Sequence, residues 1–369
     1  MSALYIGLMS GTSLDGVDAV LARIAPDSSL QVLDHAHAPF DERLRQELLA
    51  LNRPGDNELH RAALAANGVA RSYAQLVQQL LSAHPDAQVR ALGAHGQTVR
   101  HRPGEFDGTG YTLQLLNGAL LTELCGIPVV CDLRSRDVAA GGQGAPLVPA
   151  FHQAVFGGGD CRAVLNVGGI SNISLLSEDG SGAPRGFDCG PGNCLMDLWV
   201  HRHRGTAYDA GGRWAATGRV IPALLAQMLA EPFFALPPPR STGRDLFNES
   251  WLSAHLASQT GAAPADVQAT LLELTARACA DALTQHASAA GELLVCGGGA
   301  FNGRLMQSLA DLLPHWTVLP TDRRGLPAEQ AEAAAFAWLA MRHCEGLPGN
   351  LSEVTGARGL RVLGAWYPA

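Results

Sequence analysis

Lysine is absent. All 26 basic residues of this 369-residue chain are arginine, and that removes whole mechanisms. A Walker A loop places its lysine on the β- and γ-phosphates, a protein kinase needs a strand lysine beside the nucleotide, and Schiff-base or pyridoxal-phosphate enzymes need a lysine amine. Paired cysteines are missing too. The eight cysteines (125, 131, 161, 189, 194, 279, 296 and 344) contain no C-x-x-C pair, so neither a zinc site nor a disulfide framework is indicated. No uninterrupted apolar run approaches the ~20 residues of a membrane span. Basic runs are lacking as well, and a formal net charge of −8 argues against nucleic acid as the main partner. The first residues lack the basic, apolar and small-residue succession of a secretory leader. A cytoplasmic protein with reduced thiols and no membrane span is the expectation.

What is present is organised around the stretch from Leu4 to Asp18, LYIGLMSGTSLDGVD. Apolar Leu4, Tyr5, Ile6, Leu8 and Met9 stop at Ser10-Gly11-Thr12-Ser13, and Val17-Asp18-Ala19-Val20-Leu21 resumes the pattern, which predicts a strand, a tight turn and a strand. Gly7, Gly11 and Gly16 allow a ligand close to the backbone. The turn amides and the hydroxyls of Ser10, Thr12 and Ser13 offer donors to an anion such as phosphate. The same residues also suit an ordinary hairpin whose Ser and Asp cap the turn. Asp15 and Asp18 fit Mg²⁺, held directly or through water, since that ion takes one or two carboxylates plus substrate phosphates; they fit plain turn roles equally.

The length suggests about two domains of roughly 150 residues each, and 47% hydrophobic with 16% charged residues is a globular composition. Leu30 to Ala38 alternates apolar and polar as a third strand of a meander. Helices are expected over Asp41–Leu51 and Asn57–Ala83, a strand over Val89–Ala94, a helix over Asn117–Cys125 and a strand over Ile127–Leu133. Three strands followed by alternating helix and strand indicate a mixed sheet flanked by helices. Arg134 to Pro149, rich in Gly, Ala and Pro, reads as a domain junction lining a cleft. Ala163 to Leu176 then repeats the strand, polar turn and strand of the opening stretch. Such a supersecondary repeat implies two similar halves, whose glycine turns could clamp one polyphosphate from both sides. Further helices over Asn193–His203, Ala265–His286, a segment ending at Leu313, and Ala328–His343 are expected, with strands at Glu292–Cys296 and Trp316–Pro320.

Several polar groups stand out. Gly297, Gly298 and Gly299, followed by Ala300, Phe301 and Asn302, lie between a strand and a helix, where amides and the positive helix end can hold a nucleotide; three glycines can also merely relieve packing. Asp188 lies in a loop with Gly186, Gly190, Pro191 and Gly192. A single positioned carboxylate is what phosphoryl transfer needs as a base, and capping the next helix is the competing use. His95, Gln97 and Thr98 at a strand end, with Arg134, Asp137 and Gln143 at the junction, suit a sugar bearing a carboxylate. Structural ion pairs are the plainer use of the Arg and Asp residues.

Seven stretches in order, GLMSGTSLDGVD (Gly7 to Asp18), GAHGQTVRH (Gly93 to His101), DLRSRDVAAGGQGAPLVPAFH (Asp132 to His152), NVGGISN (Asn166 to Asn172), FDCGPGN (Phe187 to Asn193), GGGAFN (Gly297 to Asn302) and EAAAFAWLA (Glu332 to Ala340), closely resemble the anhydro-N-acetylmuramic acid kinase family over nearly the whole chain. The resemblance implies an α/β chain with the duplicated ribonuclease H-like fold of the sugar kinase, heat-shock ATPase and actin superfamily, with ATP between two domains. The expected domains are residues 1–135, joined by the tail 345–369, and residues 136–344. It implies that ATP, water and 1,6-anhydro-N-acetylmuramic acid give N-acetylmuramic acid 6-phosphate and ADP in cell-wall recycling, by a homodimer.

On the matching positions, Ser10, Gly11, Thr12, Ser13, Leu14, Asp15, Gly16, Val17 and Asp18 would take the ATP phosphates and Mg²⁺, and Gly168 and Gly169 the opposing phosphate turn. Gly297, Gly298, Gly299 and Asn302 would lie on the nucleoside side, and Asp188 would be the base. Ala328-Glu329 departs from the more frequent Pro-Asp of the family, which leaves a nucleotide-side role for Glu329 open. Another sugar kinase of the same fold, or a non-metabolic actin-like ATPase, is the alternative. The turn itself yields a test: Gly11→Val, which adds a branched side chain where phosphate approaches, is expected to weaken ATP binding by titration calorimetry more than it lowers the unfolding temperature. Unchanged ATP affinity in a folded variant places the phosphate elsewhere.

Overall fold

The computed structural model describes the chain except Met1, Thr12, Ser13, Asp15, Gly159, Asp160, residues 177–183, Asp245, Ser258, Thr260, Ser288 and the side chains of Cys161 and Arg162. The opening alternation folds as a meander of β1 (Ala3–Met9), β2 (Val17–Ile24) and β3 (Leu30–Ala38). Asp41 caps α1 (Glu42–Ala50) by accepting the Leu44 N–H at 2.9 Å, and α2 (Glu58–Ala83) follows. Next come β4 (Val89–Ala94), β5 (Gln97–Pro103), β6 (Gly110–Leu115), α3 (Gly118–Cys125), β7 (Val129–Cys131), α4 (Ser135–Ala139) and α5 (Val148–Phe156).

The chain then repeats the pattern. A second meander comprises β8 (Cys161–Val167), β9 (Ile170–Leu175) and β10 (Arg185–Pro191). It leads into α6 (Cys194–Arg204), α7 (Pro222–Leu229), α8 (Glu249–Leu256), α9 (Pro264–His286), β11 (Glu292–Cys296), α10 (Gly303–Leu312) and β12 (Thr317–Pro320). Last are α11 (Ala331–Cys344), α12 (Ser352–Thr355) and β13 (Ala365–Tyr367).

Two sheets carry one topology. In the first, the order β3-β2-β1-β4-β7 is extended by β13; in the second it is β10-β9-β8-β11-β12. In both, the first three strands in sequence run antiparallel and the next two lie parallel to the first. The repeat seen as strand, turn and strand at Ala163 to Leu176 is thus a repeat of a whole ribonuclease H-like sheet. Contacts divide the chain into unit 1 (Met1–Val155 with Gln330–Ala369) and unit 2 (Phe156–Glu329). These joins fall later than the expected 136 and earlier than the expected 344. The reason lies at both ends: Arg134 to Pro149 holds α4 and the start of α5 within unit 1, and α11 packs on β1, β2 and β4.

Each unit has its own core. In unit 1, α2 buries Val69, Tyr73, Leu76, Val77 and Leu80 at helical spacing with Ile6, Leu8 and Leu92 of the sheet, each side chain contributing about 1.5–3 kcal/mol before entropy. Leu59 and Leu64 of the same helix are exposed. In unit 2, Val267, Leu271, Leu274 and Leu283 of α9 join Leu165, Val167, Ile173, Phe187 and Val295.

Neighbouring glycines admit α11 to the first sheet. Gly7 and Gly93 are register partners on β1 and β4. A Cβ on Gly7 would stand 1.8 Å from the Ala333 carbonyl oxygen, and one on Gly93 2.0 Å from that of Phe336. Because the obstructing atoms are helix backbone, no rotamer change relieves the clash, and α11 can lie this close only where side chains are missing. Gly93→Ala is therefore expected to cost about 3 kcal/mol or more, the upper end of overpacking penalties, in urea unfolding. A loss below 1 kcal/mol would show that the helix can lift without consequence.

Candidate active site

In unit 2, Asp188 lies within β10 and not in a loop: its glycine-rich surroundings read as a turn, but the strand ladder opposite β9 continues through it, shifting register only between Asp188 and Gly190. The Asp188 N–H donates to the Arg240 carbonyl at 3.1 Å, and Arg240 Nε donates back to the Asp188 carbonyl at 3.1 Å. The carboxylate is oriented by the Thr242 N–H, which donates to Oδ2 at 2.9 Å. Arg240 is itself buried, its guanidinium lying 5.3 Å from the Phe187 ring centroid and 5.2 Å from that of Phe233. Its Nη1 donates to the carbonyls of Phe234 and Leu236 at 2.9 and 2.8 Å. Neither Arg240 nor Thr242 is visible as a site residue in the sequence. The one local signal is a lone arginine closing the proline run of Pro237 to Pro239.

Asp188 belongs to a row across the sheet, for Asn166 is the register partner of Asn172, and Asn172 of Asp188. Leu165, Val167, Ile173, Phe187 and Cys189 enter the hydrophobic core. By the two-residue period of strands, Asn166, Asn172 and Asp188 emerge from the other face. Burial, then the neighbouring Cys279 and Asp188, push the Cys189 thiol pKa up, so it stays protonated beneath the site.

Gly168 and Gly169 form the turn between β8 and β9. Gly168 O accepts from the Asn193 N–H at 2.8 Å, while Gly169 O accepts from Gly192 and Cys194 at 2.9 and 3.1 Å. Because C=O and N–H of a trans peptide point opposite ways, the amides of Gly169 and Ile170 are turned away from α6. A Cβ on Gly168 would meet only the Ile170 oxygen, at 3.5 Å, so there is room above this turn. Gly297 has φ of +77°, and a side chain there would stand 2.5 Å from Asn166 Oδ1. Gly298 and Gly299 start the one-turn 3₁₀ helix Gly298–Phe301. Asn302 caps α10, accepting the Leu305 N–H at 3.1 Å. The Gly297 N–H donates to the Ala328 carbonyl at 2.9 Å, and the Ala328 N–H donates to Asp322 Oδ2 at 3.1 Å, a bond that proline at this position lacks.

In unit 1, Thr12, Ser13 and Asp15 lie outside the described residues. Ser10 is buried, its Oγ donating to the Gly96 carbonyl at 3.1 Å and accepting from the Tyr73 hydroxyl at 2.9 Å, so this hydroxyl is committed inward. Gly11 O accepts from Gln97 Nε2 at 3.0 Å and from the Leu14 N–H at 3.2 Å, with Leu14 in the left-handed region at φ of 59°. Val17 begins β2, and a Cβ on Gly16 just before it would meet the Ala38 oxygen at 2.4 Å. Asp18 Oδ1 accepts from His37 Nδ1 at 3.0 Å and lies 3.4 Å from His35 Nε2.

The remaining polar residues are brought together, but largely by one another. Arg134 Nε and Nη2 approach His95 Nε2 at 3.1 and 3.0 Å, and Nη1 donates to the Gly144 carbonyl at 2.7 Å. Two donors on Nε2 fix His95 as the Nδ1–H tautomer, which faces the Ser10 carbonyl at 3.3 Å. Asp137 is 0% exposed. Its Oδ1 accepts from Asn350 Nδ2 and Thr355 Oγ1 at 2.7 and 2.8 Å, and its Oδ2 from the Gly144 N–H at 2.8 Å. It staples α4 to the segment around α12, a framework duty instead of a sugar contact. The Gln143 N–H donates to the Thr355 carbonyl at 2.7 Å. Thr98 lies on β5, a strand the sequence reading passed over, and its Oγ1 accepts from Gln114 Nε2 at 3.2 Å.

A doubled ribonuclease H-like sheet on one chain, with a clamped carboxylate in the second copy and glycine turns after the first strand of each, has the architecture of the actin-like ATPases and sugar kinases. Within that class the chain belongs to the anhydro-N-acetylmuramic acid kinase family, whose profile matches residues 3–369. It is 62% identical to the anhydro-N-acetylmuramic acid kinase of Variovorax paradoxus over 99% of each chain. It is 56% identical to that of Cupriavidus metallidurans over 100% of this chain and 98% of the relative. Among solved structures, the activator of the 2-hydroxyisocaproyl-CoA dehydratase from Clostridium difficile with bound ADPNP overlays at a TM-score of 0.45 and 11% identity, over 94% of this chain and 96% of that one, too distant to bear on function.

Three imidazoles of unit 1 are held neutral. Burial, followed by the Arg134 charge, lowers His95 to about 3 and His101 to about 4, and burial alone lowers His152 to about 3. Each binds a proton near pH 6.5 only when unfolded. Stability is therefore complete above pH ~6.5 and falls with acidification towards pH 4, by about 1.4 kcal/mol per pH unit for each group. Urea unfolding at pH 7.5, 6 and 5 is expected to show this decline, and His152→Gln to reduce the slope by about one proton. A flat profile would mean that these imidazoles take up protons in the folded state.

Proposed function

We propose that the chain is an ATP-dependent kinase that opens the 1,6-anhydro ring of 1,6-anhydro-N-acetylmuramic acid with water and phosphorylates O6, yielding N-acetylmuramic acid 6-phosphate and ADP in cell-wall recycling. The observation that carries this reading, within a family whose relatives bear that name, is the Asp188 carboxylate held by the Thr242 N–H on a peptide that Arg240 brackets. A base must be held still relative to the proton it takes. Asp188 removes a proton from water; the water oxygen bonds to the anomeric carbon as the C1–O6 bond breaks; O6 takes the γ-phosphoryl group as its bond to ADP breaks.

In this reading, the amides around Ser10 to Asp18 and those of the Gly168-Gly169 turn receive the phosphates, and Gly297 to Gly299 receive the nucleoside side. The phosphate contacts are assigned to amides and not to Ser10 Oγ, because that hydroxyl is committed to Gly96 and Tyr73. Mg²⁺ fits here with few protein ligands. Among the described residues no group of three or more His, Cys, Asp or Glu is arranged for a metal, and Mg²⁺ on a nucleotide needs only one or two carboxylates. Asp18, whose Oδ1 is engaged by the two histidines, would hold it with Asp15, and the ion would neutralise charge on the transferred phosphoryl group. On the sugar side, Arg134 and His95 shape the wall through the loop they hold, and Thr98 and Gln143 supply polar contacts. A homodimer in the cytoplasm belongs to the same reading and rests on the family resemblance.

Asp188→Asn is expected to keep ATP affinity while losing at least ~10²-fold in turnover, and wild-type enzyme in ¹⁸O-water to place label on the anomeric carbon of the product. Near-normal turnover of the variant, or unlabelled product, overturns the assignment.

A further inference from the structure

Two buried oxygens beside Asp188 have no donor or acceptor among the described residues: Asn172 Oδ1 and Thr242 Oγ1. Both are tied to Asp188 by the backbone. Asn172 is its register partner on the adjacent antiparallel strand, which places Cβ atoms about 5 Å apart on one face. Thr242 donates its own N–H to the Asp188 carboxylate at 2.9 Å. A buried polar atom left unmet costs about 1–3 kcal/mol, and two such atoms flank this one carboxylate. Apolar residues of the same shape, such as valine for threonine, would remove that penalty; their absence marks a place where something polar is received.

We propose that Asn172 and Thr242 hold the attacking water against Asp188. The inference rests on the reading of Asp188 as the base for that water. A water molecule has two hydrogens to give and two lone pairs to use, and buried waters take 2–4 partners. One hydrogen goes to Asp188 and the other to Asn172 Oδ1, while the Thr242 hydroxyl donates to one lone pair. The second lone pair remains for the anomeric carbon. When the O–C1 bond forms, the proton on the Asp188 side moves to the carboxylate, C1–O6 breaks, and O6 takes the γ-phosphoryl group. Asn172 and Thr242 neither gain nor lose protons. They are catalytic in touching the reacting water, and they set its direction, not its basicity. An alternative assignment, contacts to hydroxyls of the sugar, shares the chemistry but acts on binding.

The test compares full-length wild type, Thr242→Val, Thr242→Ser and Asn172→Ala with 1,6-anhydro-N-acetylmuramic acid and ATP, measuring kcat, both KM values and ¹⁸O incorporation. Thr242→Val is expected to lower kcat about 10- to 100-fold, the size of a misplaced reactant, with both KM values within about threefold; Thr242→Ser is expected to stay near wild type and Asn172→Ala to resemble Thr242→Val. A rise in sugar KM at constant kcat, or unchanged kcat in Thr242→Val, overturns the proposal. If Asn172→Ala does not fold, the Val and Ser pair at Thr242 decides alone. Should wild type itself fail to incorporate ¹⁸O, the reading of the reaction fails; if wild type labels and Asp188→Asn is inactive while Thr242→Val is unaffected, only the water-holding role falls.

Discussion

Everything proposed for unit 2 depends on the way Arg240 brackets the peptide of Asp188. Its backbone carbonyl receives the Asp188 N–H and its side chain returns a bond to the Asp188 carbonyl. An arginine buried without a carboxylate would be costly, since charge loses hydration. Here the cost is offset by three carbonyl acceptors and two aromatic faces, those of Phe187 and Phe233. Arg240 thus fixes the geometry of the Asp188 peptide, and its charge also feels the nearby Asp188 carboxylate.

Unit 1 uses a different economy. Its polar residues consume one another: Arg134 is satisfied by His95 and Gly144, Asp137 by Asn350, Thr355 and Gly144, and Ser10 by Tyr73 and Gly96. Buried networks of this kind rigidify when every member is met. Their joint effect is to hold Ser10 and Gly11 at the end of β1 and the loop Gly141 to Gly144 in place.

Much of the fold was legible in the sequence because its signals are local. Leu30–Ala38 and Val89–Ala94 fall where the alternation and the apolar run put them, and the strand, turn and strand at Ala163 to Leu176 announced the second sheet. What escaped has a physical reason in each case. The β5–β6 hairpin encloses Pro103 to Gly110, whose turn residues masked the strands on either side. The glycines and proline around Asp188 read as a loop, yet β10 tolerates them through a register shift. Asp137 and His95 are polar by letter but inward by burial, with Arg134 half-buried against His95, and only tertiary contacts reveal it. Arg240 and Thr242 reach Asp188 from far along the chain, a distance no local pattern encodes.

The seat that Gly7 and Gly93 leave for α11 also orders events in time. Unit 2 is one continuous stretch, whereas the helix that closes the first sheet is translated after it. On the ribosome, unit 2 can bury its core while the centre of the first sheet still presents an open apolar trough. Unit 1 is thus a half-built vessel for most of its own synthesis, and the alanine-rich helix is the keel laid last. Substitutions that slow its docking would act on the yield of folded protein even where the finished enzyme works normally.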